Sequence, residues 1–265
     1  MKRLIIIVAM IYFLCANFGY AGSTGSENLK KSSSSSANEC FEGFSRAMFS
    51  FNQAVDTVIF EPIAKGYRVL PMVARNGTSN VMGNISNLLT IPNNVLQGDF
   101  AGAGNTVARL AINTTVGILG FFDPAEKMGF PKKDKEDYGQ TLGVWGTGSG
   151  CYFVLPILGP TTARDFVGTV ANIWGDPWYS ITVSDNPMIA NGMFTESDYY
   201  IEKGTSAVDF RAKNIESFDN IERNSIDLYA SIKSFYLQNR NKKISNSDTI
   251  VETQDESDWE EIDTN

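Results

Sequence analysis

Ser149 stands in Gly146-Thr147-Gly148-Ser149-Gly150, a run that could cradle a phosphate or present a nucleophile. A phosphate loop closes on Gly-Lys-Ser/Thr, so that the lysine reaches the phosphates, and no lysine follows here. A nucleophile elbow needs glycine two positions before and two after the serine, where Thr147 and Cys151 stand. The chain has no histidine, which removes Ser-His-Asp and Cys-His catalysis and every histidine-ligated metal site. Nothing is left to activate Ser149. Residue types alone leave carboxylate or lysine chemistry open, but no motif supports it. The run reads as backbone that bends tightly or packs closely, and the expectation is a non-enzyme with no metal and no cofactor.

The elements that carry this run belong to a chain of 265 residues, 43% hydrophobic and 12% aromatic, enough for one sizeable core. The net charge of −8 is concentrated after residue 247, in Asp248, Glu252, Asp255, Glu256, Asp258, Glu260, Glu261 and Asp263. The body is nearly neutral and has no basic stripe to neutralise phosphates, which argues against nucleic acid as a partner. Residues 1–21 read as a secretory signal: Lys2-Arg3, an apolar run from Leu4 to Leu14, and Gly19-Tyr20-Ala21 before the cut. Cys15 would be the lipidated residue of a lipoprotein, but Phe13 and Leu14 are too bulky for the positions before it. Residues 22–38 form a Ser-rich flexible spacer and residues 241–265 an acidic, disordered tail.

Between spacer and tail the pattern is mainly helical. Phe41, Phe44, Met48, Phe51, Val55 and Ile59 step by three and four and make one stripe suited to a core. Phe49 falls off that stripe, between Glu42 and Asp56. The first helix is expected from about Glu39 to Phe60, with a break or kink at Glu61-Pro62. A short helix follows over Ile63 to Leu70, and another pattern from Pro71 ends at Ile91-Pro92. Asp99 to Gly120 is the most hydrophobic stretch, yet Arg109 and Asn113 lie inside it. That leaves too little uninterrupted apolar length to span a bilayer, and a buried core helix is expected. Residues 126–137 read as a charged loop, Thr162 to Asp165 as a capping box, Trp174 to Pro187 as loop, and Ser197 to Arg240 as a long helical pattern.

The segment YGQTLGVWGTGSG, followed by FVLPILGPTTARDFVG, resembles the VacJ (MlaA) family of bacterial outer-membrane lipid-transport proteins. EGFSRAMFSFN, ARNGTSNVMGN, NNVLQGD, GFFDPA and RNSIDLY…YLQNR follow in register, so the resemblance covers residues 39–240. It implies one domain of amphipathic helices, arranged as a ring in the periplasmic leaflet of the outer membrane. A channel through the ring would pass mislocalised phospholipid from the outer leaflet to a periplasmic carrier. An outer-membrane porin trimer is the expected protein partner.

On that resemblance the lipid path falls to Phe49, Asn52, Gly143, Trp145, Gly146, Gly148 and Gly150. Phe49 then either faces acyl chains or covers a neighbouring loop, and the sequence leaves the two open. Cys40, Cys151 and Leu228 occupy positions where the family pattern has proline. Once the signal is removed, Cys40 and Cys151 remain as a pair in an oxidising compartment. A bridge between them stands against two unrelated buried thiols. The competing reading of the whole chain is a secreted or surface scaffold or adhesin, for which the spacer and tail would be suited.

Overall fold

The computed structural model describes residues 39–183 and 194–245, and the signal reading, the spacer reading and the tail reading beyond residue 245 lie outside them. Cys40 is joined to Cys151 by a disulfide with Cα atoms 5.6 Å apart, and Glu39 forms a parallel bridge with Tyr152. These two links hold the entry segment against another part of the chain, so helix α1 (Glu42–Val55) begins later than the expected Glu39. At its far end the break expected at Glu61-Pro62 does not occur. One π-helical turn, Asp56–Phe60, leads directly into α2 (Glu61–Arg68), where Pro62 sits in the first turn and needs no intrahelical donor. Arg211 clasps the Asp56 carboxylate through Nε (2.9 Å) and Nη2 (2.8 Å) and fixes that wider turn.

Helix α3 (Met72–Gln97) runs through Pro92 instead of ending there, and stops at Gly98 in the left-handed region, φ 81°. Pro92 removes one backbone donor, but the next turn is supported by Asn93 Nδ2, which donates to Leu89 O at 2.8 Å. Asp99 then caps α4 (Phe100–Thr115) by accepting from Gly102 N at 2.8 Å. With only two residues between them, α3 and α4 form an antiparallel helical hairpin. A single turn, α5 (Pro124–Lys127), and α6 (Tyr138–Val144) follow, each capped by the aspartate before it.

An antiparallel β-hairpin, which the helical reading did not anticipate, joins β1 (Tyr152–Leu155) to β2 (Gly159–Thr162). Tyr152 and Val154 alternate inward and meet Tyr229, with Met48, Phe49, Tyr236 and Leu237 packed around them. Thr162 caps α7 (Ala163–Gly175), accepting from Asp165 N at 3.2 Å, so half of the expected capping box is present. The Asp165 carboxylate instead accepts from Arg164, Tyr236 and Arg240. Gly168 of α7 crosses Gly139 of α6 so closely that a Cβ at 168 would lie 2.3 Å from the Gly139 backbone.

The stretch expected as loop from Trp174 instead contains the end of α7 and α8 (Pro177–Val183). The long C-terminal pattern is three helices: α9 (Glu196–Lys213), α10 (Ile215–Asn224) and α11 (Leu228–Ile244). The last runs past the boundary expected at 240. The described residues belong to one compact, mainly helical unit. No helix among the described residues is long and apolar enough to cross a membrane.

Among the described residues, three non-glycine positions have positive φ: Ile118 (54°), Leu119 (56°) and Ile157 (66°). For β-branched side chains this region is a genuine outlier, costing of order 1–3 kcal/mol each.

Candidate functional site

Helix α1 is inverted relative to its sequence pattern. Ser45, Met48, Phe49 and Asn52 recur at helical spacing and turn toward the rest of the molecule. Of the expected core stripe, Phe41, Phe44, Phe51 and Ile59 are exposed, Phe41 by 58%, and only Met48 and Val55 are half-buried, Met48 against the Tyr152 cluster. Phe49 therefore does not face outward. Its ring stands edge-on to Tyr229 at 5.6 Å within the cluster around Tyr152. The second of its two readings, cover for a neighbouring segment, describes its position. Asn52 is likewise a clamp: Nδ2 donates to Leu155 O (2.8 Å), and Oδ1 accepts from Ile157 N (2.7 Å).

The same inversion runs through α4. Phe100, Gly104, Val107 and Ala111 lie on the exposed face, while Gly102, Thr106, Arg109 and Asn113 are buried. The expectation of an apolar core helix is thus reversed, because the polar residues are the buried ones. They face a matching stripe on α3, Asn80, Asn84, Asn87, Thr90 and Asn94. Asn84 Nδ2 donates to Thr114 Oγ1 (2.8 Å), and Asn94 Nδ2 donates to Thr106 Oγ1 (3.3 Å).

The charged segment 126–137 closes this seam and is only partly solvated. Arg109 is ion-paired to Asp123, and Asn113 Nδ2 donates to the same carboxylate at 2.9 Å. Burial would raise Asp123, but Arg109 and Asn113 outweigh it and hold the carboxyl below its ordinary value. The Lys135 amine reaches into the seam and donates to Gly83 O (2.6 Å) and to Asn87 Oδ1. Burial, with Lys132 and Arg109 nearby, brings it down to about 8. The polar space left between these groups is about 20 Å³, room for roughly one water.

A second buried network joins α6, α7 and α11. Arg240 donates to both oxygens of Asp137 (2.6 and 3.0 Å) and to Asp165 (2.9 Å). Tyr236 donates to Asp165 at 2.6 Å, and Arg164 donates to it at 3.0 Å. Burial opposes ionisation of Asp165, but Arg240, Arg164 and Tyr236 bring it down to about 2. A cavity of about 220 Å³ lies beside this network, with Leu155, Leu158 and Pro160 along its apolar wall.

The proposed lipid-path residues do not form one lining. Phe49 and Asn52 gather at the β-hairpin, close to the Cys40–Cys151 link. Gly143 packs against Ile244 so tightly that a Cβ would meet it at 2.7 Å. Trp145 is 59% exposed, with its indole nitrogen tied to Leu96 O at 2.9 Å. Gly146 and Gly150 have positive φ, 88° and 67°, and serve the turn leading to β1, while a Cβ at Gly148 would meet open space. The seam residues Asn84, Asn87, Thr106 and Lys135 were missed. The available signal was amide and hydroxyl residues recurring at helical spacing on α3 and α4.

A profile of the MlaA lipoprotein family matches residues 37–243. The chain belongs to the MlaA lipoprotein family. The matched MlaA region takes in the disulfide, the hairpin and nearly all of α11, and leaves the acidic tail outside. The Escherichia coli intermembrane phospholipid transport system lipoprotein MlaA is 33% identical over 202 residues, 74% of each chain. The Haemophilus influenzae protein of the same name is 29% identical over 233 residues, 83% of this chain and 84% of its own. A Rickettsia bellii protein is 33% identical over 254 residues, 91% of this chain and 93% of its own. A solved structure described as the structural basis for maintenance of bacterial outer membrane lipid asymmetry aligns with a TM-score of 0.64 at 30% identity. That alignment covers 78% of this chain and 99% of that one.

Proposed function

We propose that this MlaA-family chain removes mislocalised phospholipid from the outer leaflet of the outer membrane and passes it to a periplasmic carrier, without covalent chemistry. The observation that carries the reading is the inversion itself. Phe41, Phe44, Phe51, Phe100 and Val107 are exposed, while Asn84, Asn87, Thr106, Arg109 and Asn113 are buried. Apolar faces of this extent mark contact with lipid or a partner. Helices too short to span but apolar along one side belong at an interface. Acyl chains would lie against the apolar faces, while the buried polar seam holds α3 and α4 together behind them. A ring seated in the periplasmic leaflet, with a porin trimer beside it, is the arrangement this reading takes from the family.

Deletion of the gene is expected to expose phospholipid on the cell surface, and the full-length chain should restore asymmetry. Unchanged surface phospholipid after deletion would overturn the reading. Carbonate washing separates it from a scaffold or adhesin role, since an interfacial protein stays with the outer membrane and a scaffold is released.

A further inference from the structure

The exposed positive-φ residues occur in two copies of one tripeptide. Ile118-Leu119-Gly120 follows α4, and Ile157-Leu158-Gly159 forms most of the turn between β1 and β2. Ile118 and Leu119 are exposed by 64% and 72%, Ile157 and Leu158 by 67% and 68%. Both glycines also have positive φ, 90° and 79°. A hairpin turn normally gives the left-handed position to glycine or asparagine, yet here β-branched isoleucines hold it with their side chains outward.

Each tip is fixed from behind by polar groups. At the hairpin, Asn52 grips Leu155 O and Ile157 N on either side of Pro156. At the other tip, Leu119 N donates to Thr114 O (3.0 Å) and Gly120 N to Asn113 O (2.7 Å). Asn80 Nδ2 donates to Phe121 O at 3.3 Å. Gly120 lies so close to Asn84 that a Cβ there would meet its side chain at 2.6 Å. A strained conformation persists only where its surroundings over-determine it.

Both tips are uncharged over their whole length, Val116–Phe122 and Tyr152–Thr162, unlike the charged segment 126–137. They also continue the apolar exposure of their neighbours. Asn52, next to the exposed Phe51, holds one tip, and the other extends the α4 face that bears Val107. An uncharged tip continuous with such faces matches hydrocarbon better than a polar protein partner.

We infer that the twin Ile-Leu-Gly tips are preset wedges that insert between the acyl chains of the bilayer, with Asn52 as the positioning residue of the hairpin tip. The inference rests on the membrane reading above and adds to it the points of insertion. The backbone strain holds the side chains out toward lipid instead of letting them fold back onto the protein.

The test uses the full purified chain and its flotation with vesicles of phosphatidylethanolamine and phosphatidylglycerol. Two double variants are compared with the wild type: Ile118→Gly with Ile157→Gly, and Ile118→Asn with Ile157→Asn. Glycine adopts positive φ freely and asparagine tolerates it. The glycine pair should therefore melt at the same temperature or higher, while both pairs lose roughly tenfold in vesicle partitioning for each tip. Unchanged partitioning of both pairs, with a wild type that floats, overturns the wedges alone. A fall in melting temperature of the glycine pair also overturns them, by assigning the isoleucines to packing. A wild type that does not float overturns the membrane reading as well.

Discussion

Around Tyr152, the hairpin, α1 and α11 meet through aromatic rings, with Tyr229 at 6.2 Å and Tyr236 at 6.1 Å from the Tyr152 ring. Between α3 and α4 the side-chain hydrogen bonds join amides and hydroxyls, and Phe100, Val107 and Ala111 of α4 point away. The first region is built as water-soluble domains are, with apolar groups removed from solvent and a covalent link beside them. The second follows the rule for protein in lipid, where hydrocarbon outside gives no reason to bury more of it, and polar groups must find one another. One chain uses both rules. A protein at an interface needs a fixed frame behind the faces it offers to lipid.

The largest effect should come from the network that ties the two regions together. Arg240→Met leaves Asp137 and Asp165 without their common cation, and breaking a buried pair costs about 3–5 kcal/mol. Chemical denaturation in detergent measures it. Replacing Cys40 and Cys151 together by serine should cost about 2–4 kcal/mol, because the link closes a separation of 111 residues. Peptide mapping without reductant should recover the Cys40–Cys151 pair. If quantitative thiol alkylation succeeds instead, the aromatic region stands without its covalent link.

A pH series sharpens the contrast, since Asp165 and Lys135 both make stability rise with pH, but in separate windows and for opposite reasons. The Asp165 charge is held by cations, and the Lys135 charge is penalised by burial. Asp165 is lowered from 3.8 to about 2, so its contribution is complete above roughly pH 5. It is lost as pH falls through 2, on the order of 2 kcal/mol. Lys135 is lowered from 10.5 to about 8. Burying its charge is unfavourable to the fold below pH 8, and stability should rise from there towards pH 10 as the folded state loses the proton first. Asp165→Asn should flatten the acid limb and Lys135→Met the alkaline one. A Lys135→Met chain that keeps the alkaline rise would mean that the seam does not bury that charge.

Several features were legible from residue types. The absence of histidine closed the common catalytic routes. Thr162 announced a helix start, and Arg109 with Asn113 ruled out a spanning helix. What periodicity could not give is direction. The stripe Phe41, Phe44, Met48, Phe51, Val55 and Ile59 looks the same whether a core or a lipid lies beyond it. Periodicity assigns it inward and leaves Phe49 between lipid and a neighbouring segment. Only Met48 and Val55 of that stripe are withdrawn from the surface, and Phe49 packs inward beside Met48. Pro92 looked like a stop because local propensity says so, but tertiary contacts carried α3 through it. The hairpin was hidden by expecting helices throughout, although aromatic and β-branched residues flanking Pro156 and Gly159 are a strand–turn–strand signal.

The inversion of α1 is the central claim, and a matched pair of substitutions measures it. Phe44→Asp changes an outward residue and Phe49→Asp an inward one, on the same helix and with the same chemistry. Melting in detergent and retention on outer membranes after a carbonate wash are read for both. Phe44→Asp should shift stability by no more than about 0.5 kcal/mol and weaken retention. Phe49→Asp should lower the melting temperature sharply, because it places an unpaired carboxylate against Tyr229. The reverse pattern, with Phe44→Asp unfolding the protein and Phe49→Asp only releasing it from the membrane, would contradict the account.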